Sequence, residues 1–229
     1  MATKIYLSPA AHEHDNACAY SKSCGENIHC NAYMDELETY LKACGFEIKR
    51  GKRSAVGSSE LKRRVKEANS WGADLYYVCH TNAYDGTVKG SRPHVYPKGK
   101  GREWAQKLLD WRKKIYPYPC SVKTTTDLYE ITATTMVVVY EEMVFHDNKE
   151  DAAFFHNNMR LLAEYTARGL CEIFGHKFVD PYERKSDGNA IYRVMVGSYT
   201  EKDDAEYMLQ RLSSFGFSGV ITAERVSKP

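Results

Sequence analysis

His80, Glu26 and Glu142 carry side chains that bind metals and move protons, and each stands beside a segment boundary. His80 follows the apolar run Leu75–Cys79, in the string His80-Thr81-Asn82-Ala83. A histidine at the carboxyl end of a strand in an α/β sheet is a candidate ligand or base; the plain alternative is a half-buried surface histidine. A polar stretch, residues 10–25, supplies His12, Glu13, His14 and Asp15. Glu26 opens the helical segment after it, where a carboxylate also suits the positive end of the helix dipole. Glu141 and Glu142 follow the strand Thr135–Tyr140. Glu141 is expected to point into solvent, which leaves Glu142 on the same edge as His80. A catalytic zinc ion is commonly held by three such N/O ligands with one position open. It polarises a carbonyl and lowers the pKa of water, and a further carboxylate can carry a proton to a leaving amine. The ligands here are scattered, and no H-E-x-x-H spacing anchors them.

The elements that must position these residues follow from periodicity. Lys4–Leu7 is a short strand that stops at Ser8-Pro9. Tyr33, Leu37, Tyr40, Leu41 and Cys44 recur at helical spacing, and Gly45 is a stop signal. Phe46–Lys49 reads as a strand, Ser58–Trp71 as a helix opened by a serine cap, and Asp74–Cys79 as a buried strand. His94–Tyr96 reads as an edge strand, Arg102–Ile115 as a helix, and Asp151–Phe174 as one long helix. Alternating strands and helices predict an α/β fold: a mostly parallel twisted sheet with helices on both faces. Its ligands gather beyond the carboxyl ends of the strands.

Phe178–Ala190 is polar and contains Pro and Gly, so it reads as a linker between a domain at 1–177 and a unit at 191–229. In that unit Ile191–Tyr199 alternates as a strand, Ala205–Phe215 is an amphipathic helix stopped by Gly216, and Val220–Ala223 is a second strand. A lone βαβ unit of this length is at the lower limit for independent folding.

The chain has 229 residues, with 32 Lys+Arg against 30 Asp+Glu, a net charge of +2. That balance lacks the basic excess of a nucleic-acid binder. The apolar run Met136–Tyr140 is far short of a membrane span. Residues 1–9 have no apolar segment of signal-peptide length, so the chain is expected to be made in the cytoplasm and to act elsewhere only after release. Seven cysteines, an odd number, suit reduced thiols. Cys18, Cys24 and Cys30 lie six apart beside His29, wider than zinc-finger pairs but a conceivable second zinc site.

Longer strings carry more. Val65 to Ala83 (VKEANSWGADLYYVCHTNA), Gly90 to Tyr96, Leu128-Tyr129-Glu130, and Val138 to Glu150 (VVYEEMVFHDNKE) resemble blocks of the zinc-dependent N-acetylmuramoyl-L-alanine amidases of bacterial autolysins and phage endolysins. The resemblance covers residues 3 to about 175. It implies Zn2+ as cofactor and a zinc-activated water that cleaves the amide between N-acetylmuramic acid and L-alanine in peptidoglycan. It aligns Glu142 with the catalytic carboxylate, because Phe145 and Asn148 follow at the family's spacing. Glu26 and His80 fall on metal-ligand positions. For the first histidine ligand the family's usual loop is replaced by Ser8 to Asp15 (SPAAHEHD). A clostridial variant of that loop favours His14, and the distance from the strand favours His12; His14 is preferred here. Asn82 and Glu130 are assigned to substrate positioning. The string Tyr192 to Tyr199, with Ala205, Leu209, Leu212 and Gly216-Phe217, resembles the SPOR domain, a peptidoglycan-binding module. Its single βαβ unit suggests pairing with a second copy in a homodimer, or docking on the amidase. Two other readings stay open: a metal-free wall-binding protein, motivated by the altered loop, and a zinc peptidase on the same scaffold.

Overall fold

The computed structural model describes residues 2–21, 25–53, 55–183, 197–214 and 219–222. The sheet is built from β1 (Lys4–Pro9), β2 (Glu47–Arg50), β3 (Leu75–Asn82), β4 (His94–Val95), β5 (Lys123–Thr124) and β6 (Val137–Phe145). Their spatial order is β2-β1-β3-β6-β4-β5. The strands β2, β1, β3 and β6 run parallel, while β4 is antiparallel to β6. The α/β, mostly parallel architecture expected from the alternation is the one observed.

Side-chain alternation along the central strands divides the core in two. Ile5 and Leu7 of β1, Tyr77 and Cys79 of β3 and Val139 of β6 lie on one face. They pack against α1 (Glu26–Ala43), α3 (Gly101–Arg112) and α6 (Met159–Phe174). Tyr6, Tyr76, Val78, Val138 and Tyr140 lie on the other face, under α2 (Ser58–Trp71) and the short α4 (Tyr129–Thr132). Helix α1 ends where Gly45 adopts φ +85°, and the amides of Gly45 and Phe46 bond back to Lys42 and Leu41. That is the Schellman stop which glycine permits without strain.

Several boundaries differ from the sequence reading. Strand β1 runs on through Pro9, and β3 continues past Cys79 because its pairing with β6 persists: His80 lies opposite Glu142 and Asn82 opposite Phe145. The polar residues at these strand ends resemble loop by composition, yet the parallel ladder holds them. Strand β4 is internal, with β5 outside it. The expected serine cap on α2 is absent, since Gly57 occupies the N-cap and no side chain bonds there. The long helix at 151–174 is two helices, α5 (Lys149–Asn157) and α6, broken at Asn158.

Residues Met1–Glu183 and Arg184–Pro229 form separate compact units. Residues 178–183, read from sequence as linker, belong to the first. The Phe178 ring stacks on Tyr40, and the Tyr182 hydroxyl donates to Glu36 at 2.7 Å. In the second unit α7 (Lys202–Ser214) is described. Residues 191–196 of the expected first strand, Gly216 and Ala223 lie outside the described residues, and residues 197–199 and 220–222 carry no strand. No helix among the described residues is long and apolar enough to cross a membrane.

Candidate metal and catalytic site

Adjacent parallel strands in register place His80 and Glu142 side by side on one face of the sheet. Two residues earlier on the same face of β6, the Tyr140 ring stacks on His80, with centroids 4.9 Å apart and planes 19° off parallel. Glu26 reaches the same edge from the first turn of α1. Its N-cap, Gly25, offers no side chain, and a Cβ there would lie 2.3 Å from Asp15 Oδ2. Asp15 instead accepts the amide of Asn27 at 2.7 Å, so a loop carboxylate caps the helix. Asn27 in turn clamps the backbone of His12: its Oδ1 accepts the His12 amide at 3.0 Å and its Nδ2 donates to the His12 carbonyl at 2.8 Å.

That clamp holds the His12 backbone beside Glu26. His12 Nε2 lies 3.0 Å from Glu26 Oε2, and His80 Nδ1 lies 2.9 Å from Glu26 Oε1. The two imidazoles meet edge to face with centroids 5.0 Å apart. One ligand atom from each of His12, Glu26 and His80 lies within 4.8 Å of the others. His14, preferred on the sequence, is exposed and outside this group. The two backbone bonds from Asn27 fall on His12, and Glu13, His14 and Asp15 after it are exposed.

The carboxylates of the site are electrostatically distinct. Glu26 is buried, and burial alone would raise its pKa. The contacts with His12 and His80 and the bond from the Thr81 amide outweigh burial and hold it far below the usual carboxylate range. Asn16 Nδ2 adds a bond to Oε2 at 2.7 Å. Burial lowers and Glu26 raises the pKa of His80, and the raising wins. Glu142 behaves oppositely to Glu26: burial pushes it up to about 7, with the His80 charge working against the rise. Its Oε2 is buried without a hydrogen-bond partner. A buried carboxylate oxygen left without a partner is uncommon and is free to meet a proton or a ligand.

Other expected residues lie elsewhere. Glu141 does not face solvent. It is fully buried on the opposite face of β6, in a two-pronged ion pair with Arg112 at 2.7 and 3.0 Å. Glu130 is buried too, and its Oε1 accepts from Ser8 Oγ at 2.6 Å and Tyr76 OH at 2.7 Å. Ser8 is tied to the buried Arg64. Asn82 ends β3, with its side-chain oxygen on the Ala83 amide and its carbonyl accepting from the His146 amide. Among the described residues, neither Glu130 nor Asn82 hydrogen-bonds a member of the His-Glu-His group. The sequence reading passed over Asn16, Asn27, Tyr140 and His146. Tyr140 was recoverable, because a strand residue two before Glu142 must share its face. His146 Nδ1 lies 2.8 Å from Thr81 Oγ1, a pairing across 65 residues that no local pattern signals. Asn148 caps α5 and also donates to the Gly86 carbonyl, tying the segment after β6 to the loop after β3.

With this geometry in hand, residues 5–172 match the family described as N-acetylmuramoyl-L-alanine amidase, and residues 167–223 match the SPOR domain. The chain is 25% identical over 181 residues to the N-acetylmuramoyl-L-alanine amidase CwlM of Bacillus licheniformis, covering 74% of this chain and 64% of that protein. It is 24% identical over 165 residues to the sporulation-specific N-acetylmuramoyl-L-alanine amidase of Bacillus subtilis (strain 168), covering 70% and 61%. The endolysin of Bacillus phage SPP1 is 31% identical over 140 residues, 57% of this chain and 49% of the endolysin. The match thus spans less than two thirds of each relative. The catalytic domain of CwlV from Bacillus (Paenibacillus) polymyxa var. colistinus superposes with a TM-score of 0.68 at 19% identity, over 76% of this chain and 99% of that domain. The amidase AmiC2 of Nostoc punctiforme gives 0.67 at 17%, over 76% and 97%. These two likenesses establish the fold.

Proposed function

The chain belongs to the N-acetylmuramoyl-L-alanine amidase family, and from that premise we propose that it hydrolyses the amide joining N-acetylmuramic acid to L-alanine in peptidoglycan. We further propose that His12, Glu26 and His80 hold a zinc ion and that Glu142 is the proton carrier. The observation that carries this reading is the pair of imidazole nitrogens converging on opposite oxygens of buried Glu26, with Glu142 in register beside His80. Two imidazoles and one carboxylate are a donor set that suits zinc with one position open. When bound, zinc supplies Lewis-acid polarisation of a carbonyl and a lowered pKa for water.

The chain's own groups do the rest. Glu26 stays ionised, and its oxygens are aimed by Thr81 N–H and Asn16 Nδ2. The Tyr140 stack and the Glu26 bond fix the His80 ring, so little reorganisation is needed on reaction. A carboxyl near neutrality suits Glu142 to accept a proton from the attacking water and return it to the departing alanine nitrogen. The C–N bond breaks, leaving a lactyl carboxylate and a free amino group. The unit that matches the SPOR domain would hold the chain on the wall, raising the local concentration of cleavable bonds.

Purified walls incubated with the full chain test this reading. New N-terminal L-alanine should appear without new reducing sugar, and Glu142→Gln should abolish it. New amino termini other than L-alanine would indicate a peptidase. Wall binding with no product and no zinc in the wild type would reduce the protein to a binding module.

A further inference from the structure

His29 lies one helical turn after Glu26 on α1, and its ring packs edge-on to Phe155 of α5, with centroids 6.1 Å apart. Cys30 is fully buried in the core and Cys24 lies outside the described residues. His156 Nδ1, near the end of α5, sits 3.0 Å from His29 Nε2. We propose that His29 and His156 form a second metal site, distinct from the His12–Glu26–His80 group, for a divalent transition-metal ion of the zinc, nickel or copper type.

Two imidazoles that share one ion at metal–nitrogen distances of about 2.0–2.1 Å hold their nitrogens roughly 3 Å apart, the separation seen here. Imidazole pairs suit zinc, copper and nickel, whereas magnesium and calcium prefer oxygen. Both rings stand on helices and are braced, His29 by Phe155 and His156 by the Tyr20 ring at 4.7 Å, so ligation requires little ordering. Burial and the adjacent His156 lower His29 to about 4, so at neutral pH its ring is uncharged and the ion has only the single proton of the His29–His156 hydrogen bond to displace. Asp15 places a negative charge nearby. His156 is exposed and opens on a cleft of about 320 Å³ lined by Tyr20, Ile28, Ala32 and Met159, with room for water to complete the coordination. With two protein ligands against three, this site fills second and empties first.

The test titrates the untagged, chelator-stripped full chain with Ni2+ by calorimetry, on wild type, His156→Ala and His80→Ala. His156→Ala should bind one equivalent fewer than wild type, losing the weaker class, and should keep its wall-lytic activity in stoichiometric zinc. His80→Ala should retain the His156-dependent equivalent, which separates this site from the proposed catalytic one. Saturating Ni2+ should raise the Tm of His80→Ala, and a His80→Ala/His156→Ala double variant should lose that rise. Equal stoichiometry in wild type and His156→Ala would overturn the proposal. His156 is exposed, so its replacement leaves the fold intact, and His29→Gln, at the buried partner, should lose the same equivalent.

Discussion

Replacing Glu142 by glutamine should abolish hydrolysis and, in the metal-free protein, should stabilise the fold. The second effect follows from the electrostatics of the site. Burial raises this carboxyl from 4.5 to about 7; the His80 and His12 charges oppose the rise and the Glu26 charge adds to it. At 1.36 kcal/mol per pH unit, ionising Glu142 inside the fold costs about 3 kcal/mol relative to the unfolded chain. Between those two values the folded state keeps a proton that the unfolded chain has lost, so stability falls as pH rises through the window. Below it both states are neutral; above it both are ionised and the whole cost is present. Glutamine has no such titration. In urea unfolding of chelator-treated protein, the variant should exceed wild type by up to about 3 kcal/mol near pH ~8 and match it near pH ~4. Equal stability at both pH values, or a less stable variant at the higher one, would refute the reasoning.

Arg112→Met should cost about 3–5 kcal/mol, because it strands Glu141 as a buried, unpaired charge; the Arg112→Met/Glu141→Leu double variant should recover much of that loss in urea unfolding. Gly51→Ala should cost about 1–3 kcal/mol of stability, because the new Cβ would lie 2.2 Å from Nε of the buried Arg64, and a lowered Tm reads it. Asn148→Ala should cost about 1–2 kcal/mol, since it removes the cap of α5 together with the bond to the Gly86 carbonyl, and thermal unfolding would report it.

The alternation of strands and helices, and with it the sheet and the two-sided core, was legible because periodicity reports which face of an element is buried. Strand ends were not. His80 and Glu142 looked like residues beyond their strands, because polar side chains imitate loop composition, yet the ladder between β3 and β6 carries both. Glu142 and Glu26 could be singled out from residue type and block resemblance. Glu141 was misplaced for a physical reason: its partner Arg112 is 29 residues away on another helix, and only the fold shows that a buried cation waits there. That His12 rather than His14 stands in the His-Glu-His group goes with two backbone bonds from Asn27 of α1, a clamp on a loop that has no period to read. His156 escaped notice for the same reason, since it meets His29 across 127 residues.

The most direct test of the account measures chelator-resistant zinc and wall hydrolysis together, on wild type, His12→Ala and His14→Ala. About one tightly held zinc is expected in wild type, as the three-residue group requires. His12→Ala should lose both the metal and the activity, and His14→Ala should keep both. Zinc and hydrolysis surviving in His12→Ala but lost in His14→Ala, or wild-type hydrolysis without zinc, would contradict it.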